Sequence, residues 1–331
     1  MQNTHTTLYS IEELQSHIEK TLYAIIPQNS TETLYKPVQY VVDGGGKRIR
    51  PLLTMLSCGL FGTSPLDAVH IGAAIEMLHN FTLVHDDIMD KSPLRRGRQT
   101  VHIHWDEATA ILSGDAIIGL AYRLLLKTSS AHPRLHSIIK EFSDGLIYVC
   151  EGQALDIEYS KSTQLSIQDY LQMIELKTAR LLEMAVVCGA QVAEASSNDI
   201  ETMRLFARKI GIAFQLQDDL LDLTAEQAEF GKSIGQDIVE GKKTFMMLRL
   251  RDKLSPQLPV LLQQFFDEHG LPIVHLQDIM LLLHEHNILK ETQAQILELT
   301  EEALGYLNIL PNNDYSQILR QLTQQLLIRK K

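Results

Sequence analysis

Two short stretches carry residues that could do chemistry together. In "LVHDDIMDKSPLRRGR", residues 83–98, the carboxylates Asp86, Asp87 and Asp90 fall within five positions, and the cations Lys91, Arg95, Arg96 and Arg98 follow at once. "QLQDDLLDL" at 215–223 repeats the acidic pattern with Asp218, Asp219 and Asp222, while "GGGKRIRP" at 44–51 supplies a second basic cluster. Residues four apart lie above one another on a helix, so Asp86 and Asp90 share a face with Asp87 beside them, and the second motif repeats that geometry. Such carboxylates repel one another, and the macrodipole adds to the cost near a helix C-terminus. A solvated acidic turn is the plain alternative for either motif alone. Two features weigh against it: both lie in apolar sequence ("FTLVHDDIMD", "IAFQLQDDLLDL"), where an unpaired carboxylate is costly, and the pattern occurs twice. Hard oxygen ligands suit Mg²⁺, which takes one or two carboxylates per ion and completes its shell with water and phosphate oxygens. Nearby arginines offer forks that match phosphate, and lysines offer mobile point charges. The acidic turn and the basic loop therefore read as two halves of a metal–diphosphate site.

Helices must position these groups. "SIEELQSHIEKTLYAII" opens with Ser10 as an N-cap and Glu13 three residues later, a capping-box pattern. Apolar residues keep helical spacing through 65–90, 105–128, 135–160, 166–194 and 198–224, and strand signals are nearly absent. Glycine and proline punctuate the expected helix ends at Gly44–Gly46, Gly62 to Pro65, Pro93 with Gly97, and Gly231 with Gly235. No linker divides the chain, so the expectation is one all-α domain over residues 1–331. Hydrophobic residues make up 45% of the 331, enough for some helices to be buried all round. The net charge of −11 argues against a general binder of nucleic acid or of an anionic membrane, so any anion site must be local. Cys58, Cys150 and Cys188 form no CxxC pair, which argues against a disulfide framework or a zinc site and fits a reducing, cytoplasmic compartment. The N-terminus lacks the pattern of a secretory signal. No uninterrupted apolar run approaches the ~20 residues needed to span a bilayer, so stable membrane insertion is not expected.

Eight stretches, "GGGKRIRP", "HNFTLVHDDIMD", "LRRG", "LSGDA", "EGQALD", "ELKTA", "FQLQDDLLD" and "GKSIGQDIVEGKKT", resemble in order and spacing the trans-isoprenyl diphosphate synthases. The resemblance spans about 40 to 250 and implies a single large helical bundle of the isoprenoid synthase type I kind with a central apolar cavity. It implies a prenyltransferase that ionises an allylic diphosphate, joins the cation to the double bond of isopentenyl diphosphate and releases a proton. Carried over by motif, Asp86, Asp90 and Asp218 would ligate three Mg²⁺ ions on the allylic diphosphate, supported by Asp87, Asp219 and Asp222. Arg95, Lys177, Lys232 and Lys242 would contact the same leaving group. Lys47, Arg50, His79 and Arg96 match the isopentenyl diphosphate pocket, with Arg48 in the same loop. Thr178 and Gln215 would line the reaction centre, and Gln153 and Asp156 would stand behind it. A homodimer is expected from the family.

Product length in this family follows from how deep the apolar channel runs along the helix bearing the first motif. Phe81 lies five positions before Asp86, roughly 7.5 Å at the usual helical rise. It is the expected gate, with Thr82 beside it and Leu78 and Met77 deeper. Its ring, and the lack of an insertion in the first motif, favour a C20 product, geranylgeranyl diphosphate, over C15, and either over C30 and longer. A terpene cyclase or a silent partner subunit of the same fold fits less well, because both acidic motifs and the "GGGKRIR" loop are intact. His85 before Asp86 invites comparison with a His-Asp phosphohydrolase, but that reading needs further His ligands at suitable positions, and His102 and His104 in "TVHIHW" read as structural. After "GKKT" the family often has Leu-Pro where this chain has Phe245–Met246, an altered helix start that bears on the neighbouring Lys242. Residues 255–331 read as packing helices without a motif.

Overall fold

The helical periodicity of the sequence is realised along nearly the whole chain. The computed structural model describes residues 8–28, 31–224 and 234–327. It begins with helices α1 (Ile11–Ile25), α2 (Glu32–Val42) and α3 (Ile49–Leu60). Next come α4 (Val69–Met89), a two-stranded hairpin β1 (Leu94–Arg95) and β2 (Arg98–Gln99), α5 (Val101–His104) and α6 (Glu107–Leu125). The middle of the chain forms α7 (Leu135–Ser160), α8 (Ile167–Ile174), a π-helical turn (Glu175–Ala179), α9 (Arg180–Val192) and α10 (Ser197–Thr224). Beyond lie α11 (Gln236–Val239), α12 (Phe245–Leu254), α13 (Val260–Asp267), α14 (Leu276–Glu285), α15 (Ile288–Leu307) and α16 (Asp314–Leu327). The class is all-α, as the periodicity requires.

The chain groups into two compact units. The first holds the described residues up to Leu146 with Leu181–Arg204 and Leu307–Leu319; the second holds Ile147–Arg180, Leu205–Tyr306 and the described residues from Arg320 onward. In the first unit the capping box of α1 forms as its sequence predicts, with Ser10 N donating to Glu13 Oε2 at 2.8 Å and Glu13 N to Ser10 Oγ at 3.2 Å. Leu14, Ile18, Leu22 and Ile25 then bury one stripe of α1. Helix α4 is buried on every side from Ile71 to Leu78 and packs on α1, α3 and α6, so the first acidic motif grows out of the core of this unit. Helix α6 is long and apolar enough to cross a bilayer by length and composition, and here it packs against α4 and α2. In the second unit α12 packs on α8 and α14, and the second acidic motif lies at the end of α10.

Two local structures differ from the expectation. The basic loop after α4 is a hairpin, with Arg96 at φ 51° and Gly97 at φ 74°. Two successive positive φ values make a primed turn, usually built from Asn-Gly, and an Arg-Gly pair hides it. The segment 166–194 is not one uniform helix, because the π turn interrupts it at "ELKTA".

Candidate active site

In the first unit the acidic motif closes the carboxyl end of α4. Asp86 is half-buried, Asp87 is buried and Asp90 is exposed, so the three carboxylates face different surroundings. Arg95, on the first hairpin strand, brings both Nε and Nη2 to Asp87 Oδ1 at 2.8 Å. Burial pushes the Asp87 carboxyl up from its ordinary range, and the Arg95 pairing works against that rise. Acidic turn and basic loop therefore answer each other directly at one pair. The hairpin is held from behind: the Tyr40 hydroxyl donates to the Gln99 carbonyl at 2.8 Å, and the Arg98 guanidinium lies 3.9 Å from the centre of the Tyr40 ring.

The glycine-rich loop meets the same hairpin. Arg96 donates to the carbonyl of Gly45, which joins the two basic clusters that lie 51 residues apart in sequence. Lys47 is exposed and Arg50 half-buried. Arg48 turns the other way. Its guanidinium is buried, donating to Glu19 at 2.7 Å, Glu76 at 3.0 Å and the Val42 carbonyl at 2.9 Å. It anchors the loop, in which the sequence places it, to α1, α2 and α4. Desolvation, then the charges of Arg50, Arg96, Arg95 and Arg48, hold the His79 imidazole well below its ordinary range, so it is neutral at physiological pH. His85 makes no catalytic constellation: its Nε2 lies 3.3 Å from the Ile111 carbonyl and its ring meets Phe81 edge-on at 4.7 Å. Phe81 is thus braced by His85, Met77 and Leu78 are fully buried, and Thr82 donates to the His79 carbonyl at 2.8 Å.

In the second unit a cavity of about 390 Å³ gathers Asp156, Lys177, Thr178, Gln215, Asp218, Asp219, Asp222 and Lys242 on one wall. The π turn explains how Lys177 and Thr178, neighbours in sequence, both face it. A Cβ at Gly152 of α7 would lie 2.3 Å from Lys177 N, and one at Gly211 of α10 would lie 2.3 Å from Ala179 Cα. One helical turn beyond each glycine stands the polar partner. Asp156 receives the Lys177 ammonium, and Gln215 Oε1 accepts from Thr178 Oγ1 at 2.9 Å. The glycines admit the swollen backbone, and the residues four positions on catch its side chains.

Asp219 is the most perturbed carboxyl here. Burial first, then the charge of Asp237, push it up to about 7, against the hydroxyl of Tyr170 and the amide of Gln215 that donate to it. Asp222 accepts the backbone N–H of Asp237 at 3.1 Å. Lys242 stands 2.9 Å from Glu240 and 3.4 Å from Asp237; burial opposes its charge, yet those carboxylates hold its pKa above the ordinary lysine range. Helix α12 starts at Phe245 with both Phe245 and Met246 buried, and Lys242 still faces the cavity. Lys243 donates to the carbonyls of Tyr159 at 3.2 Å and Ser160 at 2.7 Å, capping α7. The Gln153 amide finds no hydrogen-bond partner among the described residues. Lys232 lies outside the described residues.

Tyr170, Asp237 and Lys243 line the cavity and were not singled out in sequence. Asp237 and Lys243 sit inside the quoted "GQDIVEGKKT" and could have been found there; Tyr170, seven residues before Lys177, carried no signal. Among the described residues no three His, Cys, Asp or Glu side chains form a ready-made metal cluster. The carboxylates fit a hard cation all the same. They offer only oxygen, and a divalent ion beside them would offset the burial and the Asp237 charge that lift Asp219.

Residues 31–272 match the polyprenyl synthetase family. A geranylgeranyl diphosphate synthase of Methanosarcina mazei is 37% identical over 248 residues, 75% of this chain and 76% of its own. A geranylfarnesyl diphosphate synthase of Natronomonas pharaonis is 31% identical over 97% of both chains. The crystal structure of a geranylgeranyl pyrophosphate synthetase from Pyrococcus horikoshii superposes with a TM-score of 0.90 at 30% identity, covering 97% of each chain.

Proposed function

Because this chain belongs to the polyprenyl synthetase family, we propose that it condenses isopentenyl diphosphate with allylic diphosphates in a magnesium-dependent reaction, acting over residues 1–331 as one synthase domain. The observation that carries this reading is the shared cavity wall of the second unit, where acidic, cationic and neutral-polar groups of the right types stand together. By the family resemblance Asp86, Asp90 and Asp218, with Asp87, Asp219 and Asp222 in support, would hold magnesium, three ions in all, which when bound would neutralise charge on the departing diphosphate. Lys177, Lys242, Lys232 and Arg95 bind and orient that diphosphate. Lys47, Arg50 and Arg96 bind isopentenyl diphosphate as cations. His79, neutral among them, serves as a hydrogen-bond donor rather than as a further charge. Thr178 and Gln215 present oxygen dipoles to the cationic centre. The apolar surroundings of both motifs keep water from the allylic cation.

The favoured product is geranylgeranyl diphosphate, with Phe81 as the floor of the channel. The fully buried Met77 and Leu78 beneath it support this reading. Similar chains bear names from farnesyl to nonaprenyl diphosphate synthase, so length rests on this gate rather than on kinship. The exposed apolar residues Ile111 and Leu112 of α6, with Leu126 at its C-cap, are the surface that a second copy would cover in the expected homodimer.

The test is direct. Purified protein is incubated with Mg²⁺, labelled isopentenyl diphosphate and dimethylallyl, geranyl or farnesyl diphosphate, and the dephosphorylated products are sized. A dominant C20 alcohol is expected, and Phe81→Ala should lengthen the products. A C15 stop would keep the chemistry and move the gate closer to the metals; no elongation by folded protein would overturn the assignment.

A further inference from the structure

Tyr170 of α8 is 3% exposed, and its hydroxyl donates to Asp219 Oδ2. The other oxygen, Oδ1, accepts from Gln215 Nε2 at 2.9 Å, and Gln215 Oε1 accepts from Thr178 Oγ1 at 2.9 Å. The four side chains thus form one continuous hydrogen-bond relay, and each link fixes the direction of the next. Because Oδ1 accepts from its NH₂, Gln215 presents that NH₂ to Asp219 and its carbonyl to Thr178. The single hydroxyl proton of Thr178 is then committed to Gln215, and the lone pairs of its oxygen are left for the cavity that Thr178 lines.

We propose that Tyr170 is a positioning residue that sets the polarity of the dipole Thr178 presents to the reaction centre. This deepens the prenyltransferase reading and rests on it. Without the Tyr170 donor the Asp219 side chain loses the contact that pins its second oxygen and can rotate out of reach of Gln215, and an amide no longer held by Oδ1 is free to flip. The flipped amide meets Thr178 with its donor end, and the hydroxyl proton turns into the cavity. A dipole that stabilised a cation then opposes it, with no loss of any group that binds diphosphate. The signature is a fall in kcat at nearly constant KM, because the interaction matters only as positive charge develops.

The experiment is a double-mutant cycle on the full chain with saturating Mg²⁺, comparing wild type, Tyr170→Phe, Thr178→Val and the pair. Melting and far-ultraviolet dichroism confirm folding. Tyr170→Phe should lower kcat about tenfold, the effect of one directed hydrogen bond, with KM for both substrates within about twofold. The double variant should be no slower than the worse single one, because both act through the same oxygen. A folded Tyr170→Phe enzyme with unchanged kcat, or losses that multiply, would overturn the relay while leaving the prenyltransferase reading intact. If wild type makes no elongated product, both fall. Should Tyr170→Phe not fold, Asp219→Asn replaces it in the cycle, since Asn keeps the shape and puts a donor in place of one of the two acceptor oxygens on which the relay depends. A purely metal-binding Asp219 predicts losses that multiply with those of Thr178→Val, whereas the relay predicts that they do not.

Discussion

The two acidic motifs have the same five-residue pattern and live in different electrostatic worlds. In the first unit the second aspartate, Asp87, is buried against the guanidinium of Arg95, and the last, Asp90, is exposed to water. In the second unit the matching Asp219 is buried against the neutral donors Tyr170 and Gln215, and the last aspartate, Asp222, is buried too. In the first motif the second aspartate is paired with a cation of its own protein. In the second motif it is held by dipoles and feels further negative charge from Asp237 and Asp218. Spacing places carboxylates on a turn; what stands opposite decides whether their charge is already balanced.

Removing both motifs' leading aspartates should have the largest effect. Asp86→Ala with Asp218→Ala should lower turnover at least about a thousandfold, since several kcal/mol of charge stabilisation goes with them. Dichroism should show the helices intact; retained turnover would end the metal account. Next comes pH. Asp219 binds its proton more tightly folded than unfolded, so the metal-free protein should lose stability as pH rises from about 4 to about 7, and little further above that. The loss is on the order of a few kcal/mol in urea titrations, and both Asp219→Asn and added Mg²⁺ should flatten the slope. An unchanged slope in Asp219→Asn would place the strain elsewhere. The smallest effect is on the balanced side. Arg95→Ala leaves Asp87 buried without its cation and should cost about 2 kcal/mol at neutral pH, recovered in part on acidification as Asp87 takes up a proton. If Arg95→Ala is neutral in stability, the contrast between the two turns is not one of internal charge balance.

Much of this could be read locally. The Ser10–Glu13 box, the buried stripe of α1 and the all-round burial of α4 follow from residue type and spacing, because helix formation and capping depend on neighbours within a few positions. The chemical classes of the site followed in the same way: carboxylates for a hard cation, arginines and lysines for phosphate, a hydroxyl and an amide for a developing positive charge. The π turn was not legible, because it forms where Gly152 and Gly211 let two other helices close on it. The Arg-Gly hairpin was missed because its usual residues are absent.

Partnership was decided by the tertiary structure alone. Arg48 and Arg50 are two positions apart in one basic cluster, yet Arg48 is spent inside the first unit on Glu19 and Glu76. Tyr170 and Asp219 are 49 residues apart and share a hydrogen bond that no periodicity announces. The sequence by itself determined which elements form and which chemical groups the protein has to work with. Only the packed chain determined which charges are paired, which are left to a ligand, and which way each dipole points, because those depend on burial and on contacts between residues far apart in the chain.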